Sequence, residues 1–466
     1  MLHENASRPS QRIPIPVETV TENVSAPALT ADPRLVQLRE WIGAVFVIER
    51  EILPNPKQND LFKDGIDPME EAELLPMILN PDGRLVVVFG GAFKGDTETI
   101  YEQLDQQLAP LNLIALFRAH TLPNGASTQR IYILQGRIKP AARTGILNLL
   151  LFILTLFSVM YVGYELALSE IASQSLETAR QIQANGLIEL WRGLPYAVSI
   201  LLILGAHELG HYFAARRHNL TVTLPYFLPL PLGFFGTLGA FIQLLEPIRN
   251  RKVLLEVGAA GPLAGLVFAL PILIIGLITS QVSAIPTGPY FMEGNSLLYA
   301  LTKVAVFGQF LPNGQIDVMV NQLAWAGWTG LFVTGLNLIP VGQLDGGHVL
   351  YSLLGQRTQQ LYLPTILAFG FVVILSNGEL LLLLLLLLFF GRTYAVPLDD
   401  ITPLDRSRRY VAWFTLLIFI LVFVPIPFMR VEGQTAPAFE LPSFGSVALP
   451  IALIWISQQW AKRWGR

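Results

Sequence analysis

Apolar and polar residues are spread unevenly along this chain, and its character changes near residue 140. Residues 1–35 are polar, dotted with Pro, Ser and Thr, and lack the apolar core of a secretory signal, which predicts a disordered tail. Residues 36–137 mix charged and apolar positions as a soluble domain does. Within them, 85–90 predicts a strand that ends at the pair Gly90-Gly91, and 97–108 has helical spacing. Residues 113–118 and 130–134 predict two more strands, separated by the turn Pro123-Asn124-Gly125. The order is βαββ, a small α+β domain. The glycine-rich loop at 90–96 is not followed by the Gly-Lys-Ser/Thr of a phosphate-binding loop, so it is not read as a nucleotide site.

From about residue 145 the pattern becomes one of long apolar runs, and a helix that crosses a bilayer needs about 20 such residues. Runs 145–166, 194–213, 253–278, 410–428 and 444–460 qualify. Run 318–339 qualifies less cleanly, since it holds Asn321, Gln322 and Asn337. Run 361–390 is broken by Ser376-Asn377-Gly378-Glu379 and reads as two short spans in a hairpin. The expectation is a polytopic α-helical membrane protein of about eight spans at 145–466, with a catalytic core at about 194–355.

One apolar stretch resists the span reading. Residues 224–233 carry Pro225, Pro229 and Pro231 and lead into the glycine-rich segment 233–243. Proline disfavours a helix there. Non-helical backbone at membrane depth survives only against protein or a watery cavity. A re-entrant loop with an extended hairpin is therefore expected after 194–213. Its backbone edge could pair with an unwound substrate as an added strand.

Charge gives the spans a direction. Arg137, Lys139 and Arg143 precede the first run, Arg249, Arg251 and Lys252 precede the third, and Arg406, Arg408 and Arg409 follow the hairpin. With eight spans these clusters, and the basic C-terminal end, share one side, while the other loops hold only Arg180, Arg192, Lys303 and Arg430. By the positive-inside rule both termini are cytosolic. Composition agrees, with 52% hydrophobic and 14% charged residues and a mean hydropathy of +0.51. A soluble chain has about 25% charged residues. The net charge of -3 argues against a nucleic-acid partner. With no cysteine and only six histidines, metal ligands are limited to His, Asp and Glu.

Those ligands have a clear place. His207-Glu208-Leu209-Gly210-His211 is an HExxH motif on the run 194–213. Positions i and i+4 share one helix face, so both imidazoles can hold one metal, with Glu208 near enough to act as general base. Asp345, in Leu344-Asp345-Gly346-Gly347-His348, is the best third ligand, because a lone carboxylate at the end of a span is costly unless paired or ligated. His348 competes for that role or orients Asp345. Pro340 breaks the helix after Asn337 and leaves carbonyls that could face a cavity. His218 reads as a headgroup residue, Glu246 and Glu256 as solvated, and the Ala/Gly-rich segment 258–265 as a helix-packing surface without chemistry.

Together these motifs resemble the site-2 protease family of intramembrane zinc metalloproteases, in order along roughly 194–355. The soluble segment before the first span is similar to the cyanobacterial and chloroplast branch, although the GNLR motif of plant members is absent. The resemblance implies one zinc per chain on His207, His211 and Asp345, with Glu208 as catalytic base. It also implies that Asn337 positions substrate or stabilises the oxyanion. Implied partners are membrane proteins with a transmembrane helix, and the bilayer itself. The implied location is a plasma, thylakoid or chloroplast membrane. The alternatives are a catalytically silent member acting as a scaffold, and a multi-pass transporter. The first would lose a ligand or Glu208, and the second would show an inverted repeat. Residues 36–137, poor in chemistry, are expected to regulate or to bind substrate.

Overall fold

The computed structural model describes residues 33–53, 84–121, 127–137, 145–231, 233–285, 290–313, 315–375, 378 and 380–431. The predicted tail before residue 33, the turn 123–125, Lys139, Arg143 and the run 444–460 lie outside the described residues.

The N-terminal part comprises α1 (Pro33–Val45), β1 (Phe46–Ile52), β2 (Arg84–Phe93), α2 (Thr97–Leu108), β3 (Leu113–Thr121) and β4 (Ser127–Gln135). Its strands form one antiparallel sheet in the order β1-β2-β4-β3. Asp96 caps α2 by accepting a 2.9 Å hydrogen bond from Thr99 N, which satisfies one of the helix's orphan donors. Leu38, Ile42, Phe89, Leu104, Phe117 and Ile133 are part of the core between the helices and the sheet. Strand β2 runs past the predicted stop at Gly90, to Phe93, because β1 pairs with it. The glycine there allows close approach: a Cβ on Gly91 would lie 1.8 Å from Val47 O.

The rest of the chain is mainly helical. Helices α3 (Ile146–Gln174) and α4 (Leu176–Asn185) lead through a short turn to α5 (Leu194–Arg217). Strands β5 (Tyr226–Pro229) and β6 (Thr237–Phe241) follow, then α6 (Arg251–Thr279). Strands β7 (Gln281–Ala284), β8 (Tyr290–Glu293) and β9 (Ile316–Met319) flank α7 (Leu297–Phe307). Then come α8 (Gln322–Asn337), α9 (Asp345–Leu354), α10 (Thr358–Leu375), α11 (Leu381–Phe390), α12 (Arg406–Val422) and β10 (Phe428–Val431).

Among the described residues, three helical stretches are long and apolar enough to cross a membrane: Ile146–Gln174, Leu176–Arg217 and Arg251–Thr279. Run 318–339 splits instead, since β9 pairs with β7 up to Met319 and only α8 is helical. The first half of helix α3, residues 146–158, is inside out by soluble standards. It buries Asn148, Thr155 and Ser158 and exposes Ile146, Leu150 and Phe157. That is the pattern expected where the solvent is hydrocarbon, because water no longer drives apolar side chains inward.

The proline-rich stretch after α5 forms an antiparallel hairpin, with Tyr226 opposite Phe241 and Leu228 opposite Gly239. It runs alongside α5. Its base lies near the end of that helix, where Leu220 N donates to Ala215 O and Val222 bridges to Leu244. Its tip reaches the start of α5, where Tyr196 OH donates to Phe235 O over 2.9 Å. The Asn148 amide donates to Leu224 O and Pro225 O, at 2.8 and 2.9 Å. Two hairpin carbonyls are thereby satisfied away from water.

Candidate metal centre

Helix α5 brings His207 and His211 to one face, one turn apart. Helix α6 crosses it closely because both helices use glycine at the contact. A Cβ on Gly210 would fall 2.5 Å from Ala260 O. The third element enters from below. Helix α8 ends at Asn337, the chain doubles back through 338–344, and α9 starts with Asp345 in its first turn. The glycines after Asp345 make that reversal possible: a Cβ on Gly346 would lie 2.0 Å from Leu338 O, and one on Gly347 2.3 Å from Gly342 O. A carboxylate also suits the positive end of a helix.

These elements converge on three atoms. His207 Nε2 and His211 Nε2 lie 3.2 Å apart, and each is 3.3 Å from Asp345 Oδ2. A tetrahedral zinc site with bonds of about 2.0–2.1 Å has ligand–ligand edges of roughly 3.3 Å. The three separations match those edges. The donor chemistry fits as well. His211 Nδ1 lies 2.7 Å from Val257 O, so Nδ1 carries the proton it donates there, and Nε2 presents a lone pair to the cluster. His207 and His211 are buried, and Asp345 is nearly so. Among the described residues this is the group of His, Asp and Glu side chains able to hold one metal ion.

Glu208 and Asn337 stand beside the triad. Glu208 is buried, and its Oε1 lies 4.0 Å from His207 Nε2. The backbone of Ile242, the residue after β6, lies near its carboxylate. Asn337 Nδ2 lies 3.3 Å from His207 Nε2. All five residues singled out in the sequence therefore meet at one place. His348 stays off the triad: its Cβ faces Gly258, and its buried Nδ1 has no hydrogen-bond partner. His218 and Glu256 pair at 2.6 Å, and Glu256 also takes Arg408. Glu246 accepts from Thr221. Neither glutamate is simply solvated, because the basic loop and α12 fold back over them.

The residues that sequence reasoning missed are the glycines of α6. Gly258, Gly261 and Gly265 form a stripe on one helix face, spaced by three and four residues. A Cβ on Gly258 would lie 2.8 Å from His348 Cβ, and one on Gly265 3.3 Å from His207 Cβ. A Cβ on Gly261 would lie 2.1 Å from His211 Nε2. The packing surface is thus also the wall of the metal centre. Gly261→Ala is expected to lower zinc affinity at least ~10-fold, the low end of what disturbing a ligand's support costs. Metal analysis of the purified, folded variant checks it, and full zinc content would contradict this account of α6.

Residues 195–376, from α5 to the end of α10, match the model of Peptidase family M50. The chain is similar to the probable zinc metalloprotease EGY1, chloroplastic, of Oryza sativa subsp. japonica, with 27% identity over 366 residues, 73% of this chain and 62% of that protein. The protein of the same name from Arabidopsis thaliana is 27% identical over 73% of this chain and 66% of its own length. The probable zinc metalloprotease EGY2, chloroplastic, of Arabidopsis thaliana is 32% identical over 51% of this chain and 42% of its own length. The chain thus spans 42–66% of the length of these relatives. No solved structure matches it.

Proposed function

We propose that this chain, which carries a Peptidase family M50 domain at residues 195–376, is a zinc-dependent endopeptidase that cuts membrane proteins within or near their transmembrane segments. The observation that carries the reading is the triad of His207, His211 and Asp345 at 3.2–3.3 Å, with Glu208 beside it. The names of the relatives, zinc metalloproteases, support it.

In this reading His207, His211 and Asp345 hold one zinc. Zinc bound there supplies Lewis acidity, which makes water easier to deprotonate and polarises a peptide carbonyl. Glu208 takes the proton from the attacking water and returns it to the leaving amine. The Asn337 amide donates to the oxyanion as charge develops. The hairpin lies alongside α5, the helix that carries Glu208. Its strand edge receives the substrate as an added strand. The substrate helix unwinds first, because helical carbonyls are hydrogen-bonded and shielded. Gly, Pro or Asn near the scissile bond ease that step.

The topology belongs to the same proposal: about eight spans, a re-entrant hairpin after α5, and both termini on the cytosolic side, in a plasma, thylakoid or chloroplast membrane. One observation supports the shared side of the N-terminal domain and the start of α6, and another the location. The basic start of α6 meets the N-terminal domain through Lys252 and Glu98. The chloroplast location is part of the relatives' names. Purified protein is expected to hold one zinc per chain and to cut a single-span model substrate, with loss of both on treatment with a strong chelator. A zinc-free protein with intact cleavage would sink the reading.

A further inference from the structure

We propose that Asp400 is a positioning residue through which the docked N-terminal domain sets the geometry of the metal centre. The inference rests on the reading of His207, His211 and Asp345 as that centre.

The connector between α11 and α12 is stitched to the N-terminal sheet. Strand β3 is an outer strand, so one of its edges is not used by the sheet itself. Phe117 uses that edge: its N–H donates to Leu398 O at 2.9 Å, and its carbonyl accepts from Asp400 N at 3.2 Å. Arg118 Nη1 donates to Pro397 O and Leu398 O, each at 2.9 Å. The Leu398 side chain is part of the N-terminal core. The opposite edge of the connector is bonded too, because Leu398 N donates to Ile248 O at 2.8 Å and Asp399 N to Arg249 O at 2.7 Å. Thr97 meets Thr402 at 2.7 Å, and Glu98 meets Lys252 at 2.5 Å. The connector therefore forms a strand-like seam between the sheet and the residues that open α6.

While its backbone is held by Phe117, the Asp400 side chain faces the catalytic helices. It is 4% exposed. Arg251 Nε donates to Oδ1 at 2.7 Å, and Tyr351 OH donates to Oδ2 at 3.1 Å. Arg251 is the first residue of α6, the helix whose Gly261 abuts His211. Tyr351 lies on α9, the ten-residue helix that begins with Asp345. The far end of α9 is fitted to the same guanidinium: Gly355 has φ +59, and a Cβ there would lie 2.2 Å from Arg251 Nη2. At 1.5 Å per residue, Tyr351 is about 9 Å from Asp345 along its helix, and Arg251 about 15 Å from Gly261 along the other. Both walls of the metal centre thus hang from one buried carboxylate. A buried charge keeps its partners, since losing one leaves the rest uncompensated. The two helices and the sheet edge therefore hold their positions together.

The test uses the full chain. Asp400→Asn keeps the shape and removes the charge. Zinc release to a chelator is expected to speed up roughly tenfold, as for loss of a hydrogen bond to a charged group. Amide hydrogen exchange is expected to rise across 345–354 while β2 and β4 keep their protection. Tyr351→Phe, which removes one hydroxyl, should move both readouts the same way by less. Glu98→Ala loosens the domain contact at Lys252, and its effect should shrink in the Asp400→Asn background, because both act along one path. Unchanged zinc release and unchanged exchange at 345–354 in both Asp400→Asn and Tyr351→Phe overturn the proposal. Exchange that rises equally in every helix overturns it too, since that marks a general loss of stability. The exchange readout requires neither zinc nor substrate. A wild-type protein that neither bound zinc nor cut would sink the protease reading, and exchange alone would then judge the seam.

Discussion

Glu208→Gln is expected to keep its zinc and lose cleavage by about 10³-fold, within the range that general acid–base catalysis contributes. The glutamine is nearly isosteric, and Glu208 is not one of the three converging donors. The hairpin is held by Asn148, Ser158 and Tyr196, which the substitution does not touch. What it loses is the capacity to take a proton. Metal content and turnover of a single-span substrate, measured on the same preparation, check the prediction. Normal turnover would remove Glu208 from the role of base.

Asp345→Ala is expected to reduce zinc retention by more than about 100-fold and to stop cleavage, whereas His348→Ala should cost less than that and leave some activity. Removal of a group that only supports a ligand costs roughly 10–100-fold in affinity. Asp345 is more than a support: its Oδ2 lies 3.3 Å from both imidazole Nε2 atoms, and it is the one anion among the three donors. His348 touches the glycine stripe, not the triad. Competition with a colorimetric zinc chelator separates the two variants. If His348→Ala lost the metal and Asp345→Ala kept it, the ligand set would have to be redrawn.

What could be read from the sequence depended on the range of the forces involved. His207 and His211 were legible because helical spacing alone puts them on one face, and Glu208 because it adjoins His207 in the same motif. Asp345 was legible because a carboxylate at the end of an apolar run needs a partner. The βαββ order was legible from alternating and periodic apolar positions. Strand β1 was not, since it is an edge strand whose register breaks between Ile48 and Arg50, which leaves both Glu49 and Arg50 exposed and interrupts the alternation. The contribution of Gly261 was hidden because a small residue on a helix shows what it makes room for only once the neighbouring helix is in place. The seam at Leu398–Asp400 was hidden for a similar reason: it pairs residues some 280 positions apart, and nothing local to either segment announces it.

The inward polar residues of α3 bear on how the chain is made. The hydrogen-bond acceptors for Asn148 and Ser158 lie 76 to 78 residues downstream, at Leu224, Pro225 and Gly236. The first apolar helix is synthesised well before those carbonyls exist. In hydrocarbon, an unpaired amide or hydroxyl costs several kcal/mol. Biogenesis therefore cannot finish one segment at a time in order of translation. The first helix reaches its final bonding only after the histidine-bearing helix and the hairpin have followed it out of the ribosome.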